Sequence, residues 1–464
     1  MDSEKFRKKQ SLKVIISETI MVLAVIAMVV VLAFIVSGYW LNSDFKVQRQ
    51  GMLQVSSIPT GADLDVDGES SWLQRTNTSK VLASGPHKVI ISKDGYDTWS
   101  KEVNVAEGLL YRLHYPRLFL QDRTTNKVLN INNASFATVS PNRDKMILVG
   151  DTTEWQMIKL TDDAIEPKKL NISEYFSSVS LATDATVGLF TGRIMDANWD
   201  QGGSHILFKV LTDTNTEWVL IDVENIKNSL NLTKEFGANF SNIEILDNSS
   251  SNLLAVQDGR LRKIDIPGKS ISAVLADHVV DFDHYENEII YSASAIDKNT
   301  VSLLKIGDNK PKELISTAKP AQVAISKFYD EMYITILEQS ALSLYKKTDF
   351  IPVVNFDLNF VPETMEVGHN GEFIIMRTGA QIATLDMEAQ SVREWQIEGD
   401  NFGWLDNDMI YSVSDGELIV YDFDGLNRRA IAKNVSSHFP VTIADNRWLY
   451  YVSDGSLIRE NLTK

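Results

Sequence analysis

Residues 404–425 read WLDNDMIYSVSDGELIVYDFDG. A polar cluster (Asp406, Asn407, Asp408) precedes an apolar run over 409–413, the pair Asp415-Gly416 follows, and a second apolar run over 418–421 ends near Asp424-Gly425. Asp-Gly pairs between short apolar runs mark tight turns between β-strands, because both residues tolerate the left-handed backbone that such turns require. The stretch is therefore a turn–strand–turn–strand unit, and the chain repeats it. Equivalent units start at Val139, Ala197, Glu244, Phe282, Ala324, Glu366, Trp404 and Ile443, with spacings of 58, 47, 38, 42, 42, 38 and 39 residues. A period near 40 residues built from short strands is that of a β-propeller, in which each repeat is one four-stranded blade. The repeats predict a seven- or eight-bladed propeller over 117–464. The long first spacing predicts an insertion around 173–191, and the strand near 127–131 is expected to complete the last blade. Two stacked β domains or a sandwich array is the competing arrangement.

Composition agrees with a chain built on cores. Of 464 residues, 44% are hydrophobic and 23% charged, the proportions of ordinary globular domains. There is no cysteine, which excludes disulfides, thiol catalysis, cysteine metal sites and a lipid-modified N-terminal cysteine. The net charge of -17 is uneven: residues 1–13 carry five bases (Lys5, Arg7, Lys8, Lys9, Lys13) against Asp2 and Glu4. The remainder is strongly acidic and repels phosphate backbones, so nucleic acid is not an expected partner.

The basic cluster is followed by IMVLAVIAMVVVLAFIVSGYW over 20–40. As a helix this run spans roughly 31 Å, close to the hydrocarbon thickness of a bilayer, and Tyr39 and Trp40 suit its interface. Bases on the N-terminal side put residues 1–13 in the cytoplasm and the bulk outside. A cleaved signal peptide is the rival reading, but the run is long for one and 37–40 is a poor cleavage site. The expectation is a single-pass cell-membrane anchor, N-terminus cytoplasmic, over 14–41, with a linker over 42–51.

Beyond it, Leu53 and Val55 alternate with polar residues, as do Leu64 and Val66 before the turn Asp67-Gly68. Further short strands surround Val89, Ile91, Val103 and Val105. The order Ser57-x-Pro59-x-Gly61-Ala62-x-Leu64-x-Val66-Asp67-Gly68, then Leu82, Gly85, His87 and Val89, then Gly95-Tyr96, resembles the PEGA domain, a small β-sandwich-like module of prokaryotic envelope proteins. Thr60 and the segment 76–78 depart from the family pattern. The resemblance covers about 52–116 and implies an envelope location and a structural or adhesive role, with no active site. In the repeat region, Ser140-Pro141-Asn142 followed by the apolar run 146–149 resembles the blade opening of TolB-type propellers, with WD40-like propellers as the wider fold class.

The search for chemistry finds little. There is no GxSxG elbow, HExxH helix or P-loop, and His87, His114, His205, His278, His284, His369 and His438 show no ligand spacing. Asp63, Asp65, Asp67 and Gly68 copy the first half of an EF-hand loop, but position twelve is Gln74, so outward carboxylates at a hairpin turn are the simpler reading. The pairs Asp281/Asp283 and Asp422/Asp424 have the composition of acid–base pairs, but in a chain with 62 acidic residues blade-turn carboxylates are the better reading. Trp199, Trp218, Trp404 and Trp448 are candidates for sugar stacking or for blade core. No catalytic residue, cofactor or metal ligand is therefore assigned. The sequence reading is an extracytoplasmic binding or scaffold protein whose propeller loops hold an envelope protein or a cell-wall glycan. The alternative is a glycan-active hydrolase using carboxylates at the propeller mouth: convergent acids on adjacent inner-strand loops would favour it, and a mixed polar and aromatic mouth would favour binding.

Overall fold

Runs such as Phe373–Met376 and Met409–Val413 are buried throughout. A strand buried on both faces needs no polar alternation, and these strands sit in the middle of sheets covered on each side by another sheet. The computed structural model describes residues 19–30, 32–33, 39–41 and 47–463, apart from 132–133, 162–164, 173, 178, 181–188, 213–214, 247–249, 309 and 400. The described chain is all-β and divides into two units, Met1–Gln121 and Asp122–Lys464.

The second unit contains eight four-stranded antiparallel sheets among its described residues. In seven of them the strands follow sequence order; the eighth joins Thr442–Ala444, Trp448–Ser453 and Ser456–Asn461 to the early strand Thr125–Asn130. Each sheet is called a blade here, numbered from Ala134–Val139. Every repeat start named above falls on the first strand of its blade. Apolar clusters join blade 1 to 2 (Trp155, Phe208), 2 to 3 (Trp218, Leu253), 3 to 4 (Leu261, Phe282), 4 to 5 (Ile290, Ile334), 5 to 6 (Leu344, Ile374) and 6 to 7 (Ile382, Ile419). Blades 7 and 8 meet through Ile443 N–H, which donates to the Leu405 carbonyl at 3.1 Å. Tyr450 of blade 8 packs with Ile158 of blade 1. The ring is thereby closed, and the result is an eight-bladed propeller.

The strand expected around 127–131 does complete the last blade, pairing Leu129 with Leu457. Arg123 just before it pairs with the buried Glu460. The turns Asp258-Gly259, Asp415-Gly416 and Asp454-Gly455 all have positive φ at both residues, the two-residue hairpin geometry expected of Asp-Gly. The insertion near 173–191 contributes a two-stranded sheet, Val179–Ser180 with Leu189–Phe190.

The first unit holds two further sheets. Val47–Val55 pairs antiparallel with Thr78–Ala83 and parallel with Leu110–Leu113. The other runs in the order Glu69–Arg75, Asp63–Val66, Gly85–Ser92, Trp99–Val105. The alternating residues Leu53, Val55, Leu64, Val66, Val89 and Ile91 are all buried. Thr76, inside the segment that departs from the family pattern, is buried and receives hydrogen bonds from Ser57 Oγ at 2.8 Å and Ala62 N at 3.0 Å.

Three expected boundaries change. The unit ends after Gln121 rather than at 116, because Leu118, Phe119 and Leu120 are buried and Leu118 N–H bonds the Ile58 carbonyl. The linker expected over 42–51 includes the start of strand Val47–Val55. Tyr39–Leu41, placed at the end of a helix over 14–41, is instead a strand paired with Val47–Val55; aromatic residues favour extended backbone where a strand edge is available. Residues 19–30 and 32–33 are helical, and the apolar side chains from Ile20 to Leu32 that are described are exposed. Among the described residues no helix is long and apolar enough to cross a membrane. The basic tail, 1–13, lies outside the described residues.

Candidate functional site

The first strand of blade 4, Val279–Tyr285, carries a β-bulge: Val279 faces Ala293 and Asp281 faces Ser292, leaving Val280 outside the ladder. A bulge shifts the phase of every later side chain. Phe282 and His284 consequently face blade 3, while Asp281 and Asp283 reach blade 5, where their Oδ2 atoms accept the Val323 and Ile325 N–H groups, each at 2.8 Å. The Asp283 Oδ1 also accepts the His284 N–H at 2.7 Å. Two carboxylates thus satisfy the main chain of the neighbouring first strand, at positions that the repeat places in register.

On the other side, Glu244 in blade 3's first strand, Asn242–Ile245, approaches His284, with 3.3 Å between Glu244 Oε2 and His284 Nδ1. Asn242 Nδ2 donates to Glu244 Oε1 at 3.4 Å. Ligand-type atoms of Glu244, Asp283 and His284 all lie within 4.8 Å of one another. Burial, then the charge of Glu244, pushes the Asp283 carboxyl up to about 7, and burial raises Asp281 to about 6. His284 is itself raised: burial opposes its charge, but the Glu244 hydrogen bond and charge outweigh that.

Asp283 and His284 border a cavity of about 580 Å³ where the first strands of blades 2, 3 and 4 end; its wall also includes Trp199, Asp200, Lys263 and Tyr285. The Trp199 indole N–H donates to Thr138 Oγ1 at 2.9 Å, which fixes the ring at the wall. The cavity can receive a polar ligand against two aromatic rings, and its acidic corner can hold a cation.

The other residues singled out in the sequence have separate fates. Asp422 and Asp424 are buried turn carboxylates: Asp422 accepts from Asn427 Nδ2 at 2.8 Å and Asp424 from Leu426 N at 3.2 Å. Asp65 caps Gly68 N at 2.7 Å, Asp67 binds His87 Nδ1 at 2.6 Å, and Asp63 lies 3.8 Å from Arg75; these three serve a hairpin. His87 also contacts the Ala83 carbonyl at 2.7 Å, tying the turn to the next strand. Trp218 is core, whereas Trp404 and Trp448 are half-buried away from the main cavity. Glu244 and His284 were not paired in the sequence reading. The usable signal was the repeat: aligning Glu244 with Phe282 puts Asp283 and His284 one and two places further along the adjacent first strand.

Residues 50–116 match the PEGA domain. That segment lies within the first unit and spans most of its two sheets, so the PEGA module contains the Asp67–His87 turn and the buried Thr76. No curated protein matches the chain. Among solved structures, the chain is similar to an oligogalacturonate lyase in complex with manganese (12% identity, TM-score 0.40, 57% of this chain and 88% of that one). It is also similar to Kluyveromyces lactis Hsv2 (8%, 0.42, 65% and 98%) and to the Dos1 propeller (11%, 0.42, 73% and 94%).

Proposed function

We propose that this chain is a membrane-anchored, extracytoplasmic binding and scaffold protein of a prokaryotic cell envelope, with the PEGA module next to the membrane and the propeller holding its partner, an envelope protein or a cell-wall glycan. The observation that carries the binding role is the cavity at the ends of the first strands of blades 2 to 4. It combines Trp199 and Tyr285 with Lys263, Asp200 and His284, a mixture of rigid aromatic surface and oriented polar groups suited to recognition. Anchoring is supported by the sequence over 20–40 and by the exposed apolar side chains along its helical part. A helix that is apolar all round is normally buried in a large protein core or in a membrane, and side chains left exposed by the protein fit the second. The basic residues before it orient the chain with residues 1–13 inside.

The test is fractionation followed by protease treatment of intact cells from which any outer barrier has been removed. The chain should remain in the membrane fraction after high-salt washing, and external protease should destroy the propeller while sparing a short N-terminal fragment. Recovery in the soluble fraction, or full protection from protease, contradicts the proposal.

One observation favours the hydrolase reading: carboxylates of Glu244 and Asp283 converge from adjacent first strands. Against it, both Asp283 oxygens already accept main-chain N–H groups, which restrains the carboxylate from the role change a glycosidase requires. Release of reducing ends from purified wall polymer, abolished by Glu244→Gln, would establish the hydrolase.

A further inference from the structure

We propose that Glu244, Asp283 and His284 form a divalent transition-metal site at the seam of blades 3 and 4, with an open coordination position toward the cavity. Their ligand-type atoms lie within 4.8 Å of one another. The 3.3 Å between Glu244 Oε2 and His284 Nδ1 is close to the separation of roughly 3.4 Å for two ligands about 2.1 Å from one tetrahedral ion. The supporting contacts are those of a prepared site: Asp283 is held by Ile325 N and His284 N, and Glu244 by Asn242. Such outer contacts fix ligands in orientation and sharpen affinity.

Charge provides an independent argument. Glu244, Asp281 and Asp283 crowd one corner, and among the described residues none of them forms an ion pair with a lysine or arginine; the one ion-pair partner is His284. An imidazole can offset a single charge when protonated, whereas a dication bound to neutral imidazole offsets two carboxylates and relieves their repulsion. One nitrogen and two oxygen donors suit Zn²⁺ or Mn²⁺ better than Ca²⁺, which prefers six or more oxygens. Three protein ligands leave at least one position for water or for an oxygen of a bound ligand. This inference is independent of membrane anchoring and of the partner's identity.

The full chain, purified in detergent and stripped with chelator, is titrated calorimetrically with Zn²⁺ and, separately, with Ca²⁺ at pH 7.5. The expected result is one Zn²⁺ per chain, bound at least tenfold more tightly than Ca²⁺. Glu244→Gln and His284→Gln should each weaken Zn²⁺ by tenfold or more while keeping the parent's circular dichroism. X-ray absorption of the zinc-loaded parent gives a readout independent of variant folding, and should show imidazole scattering together with oxygen donors. Absence of saturable Zn²⁺ binding, unchanged affinity in both folded variants, or an oxygen-only coordination shell overturns the proposal.

Discussion

Gly51 lies where strand Val47–Val55 passes the loop before Leu110–Leu113. A Cβ there would stand 2.3 Å from the Ala106 carbonyl oxygen and 2.6 Å from Val105 Cγ1. Backbone cannot retreat as a flexible side chain can, so Gly51→Ala should destabilise the PEGA module by about 2–3 kcal/mol, read as a lower denaturation midpoint for that unit. Asp67 makes a second residue-scale prediction. The His87 hydrogen bond, opposed by partial burial and aided by Lys88 N–H, holds its carboxyl below the usual 3.8. A depressed folded pKa contributes stability that is present above the unfolded value and is lost as pH falls through the folded one. Asp67→Asn keeps a residue suited to the turn and removes the titration. The variant should therefore show a shallower loss of stability below about pH 4, measured by thermal unfolding across that range. Asp67 was legible in the sequence as a turn residue, because Asp-Gly signals are local. Its bond to His87 was not, because strand register decides which residues twenty positions apart come together.

Among the elements, the closing strand Thr125–Asn130 completes the last blade by pairing with Ser456–Asn461. It joins the beginning of the second unit to its end, and Arg123 beside it pairs with Glu460, which is 3% exposed and also accepts from Tyr451 Oη at 2.9 Å. Removing one partner leaves a buried charge without its counterpart. Glu460→Ala should thus cost about 3 kcal/mol or more, and hydrogen exchange should rise first in Thr125–Asn130 and Ser456–Asn461. Exchange confined to other blades would contradict this role for the closure. The blades themselves were readable from sequence, since a central strand covered on both sides leaves a continuous apolar run and Asp-Gly marks its turn. The bulge at Val280 was not readable: no residue type announces it, yet it sets which way Asp281, Asp283 and His284 point. The C-terminal end of the apolar segment was misplaced for a related reason. Tyr39 and Trp40 suit a membrane interface and a strand edge equally, and pairing with Val47–Val55 is a tertiary fact.

At the scale of the whole molecule, eight blades in a closed ring bring together groups that are far apart in sequence. Trp199, Lys263 and His284 belong to three different repeats and line one cavity only because their blades are neighbours. The repeat period made that adjacency available in advance; the cavity between the strand ends follows from side-chain sizes and the twist of each blade, which a period does not specify. Recognition at this cavity is the centre of the account. The most direct test is affinity capture from solubilised envelope and, in parallel, from purified wall polymer, comparing the full chain with a Trp199→Ala/Tyr285→Ala variant that retains its fold. The account predicts retention of one protein or of the polymer by the parent, reduced at least tenfold in the variant. Equal capture by parent and variant, or no retention by either, would contradict it.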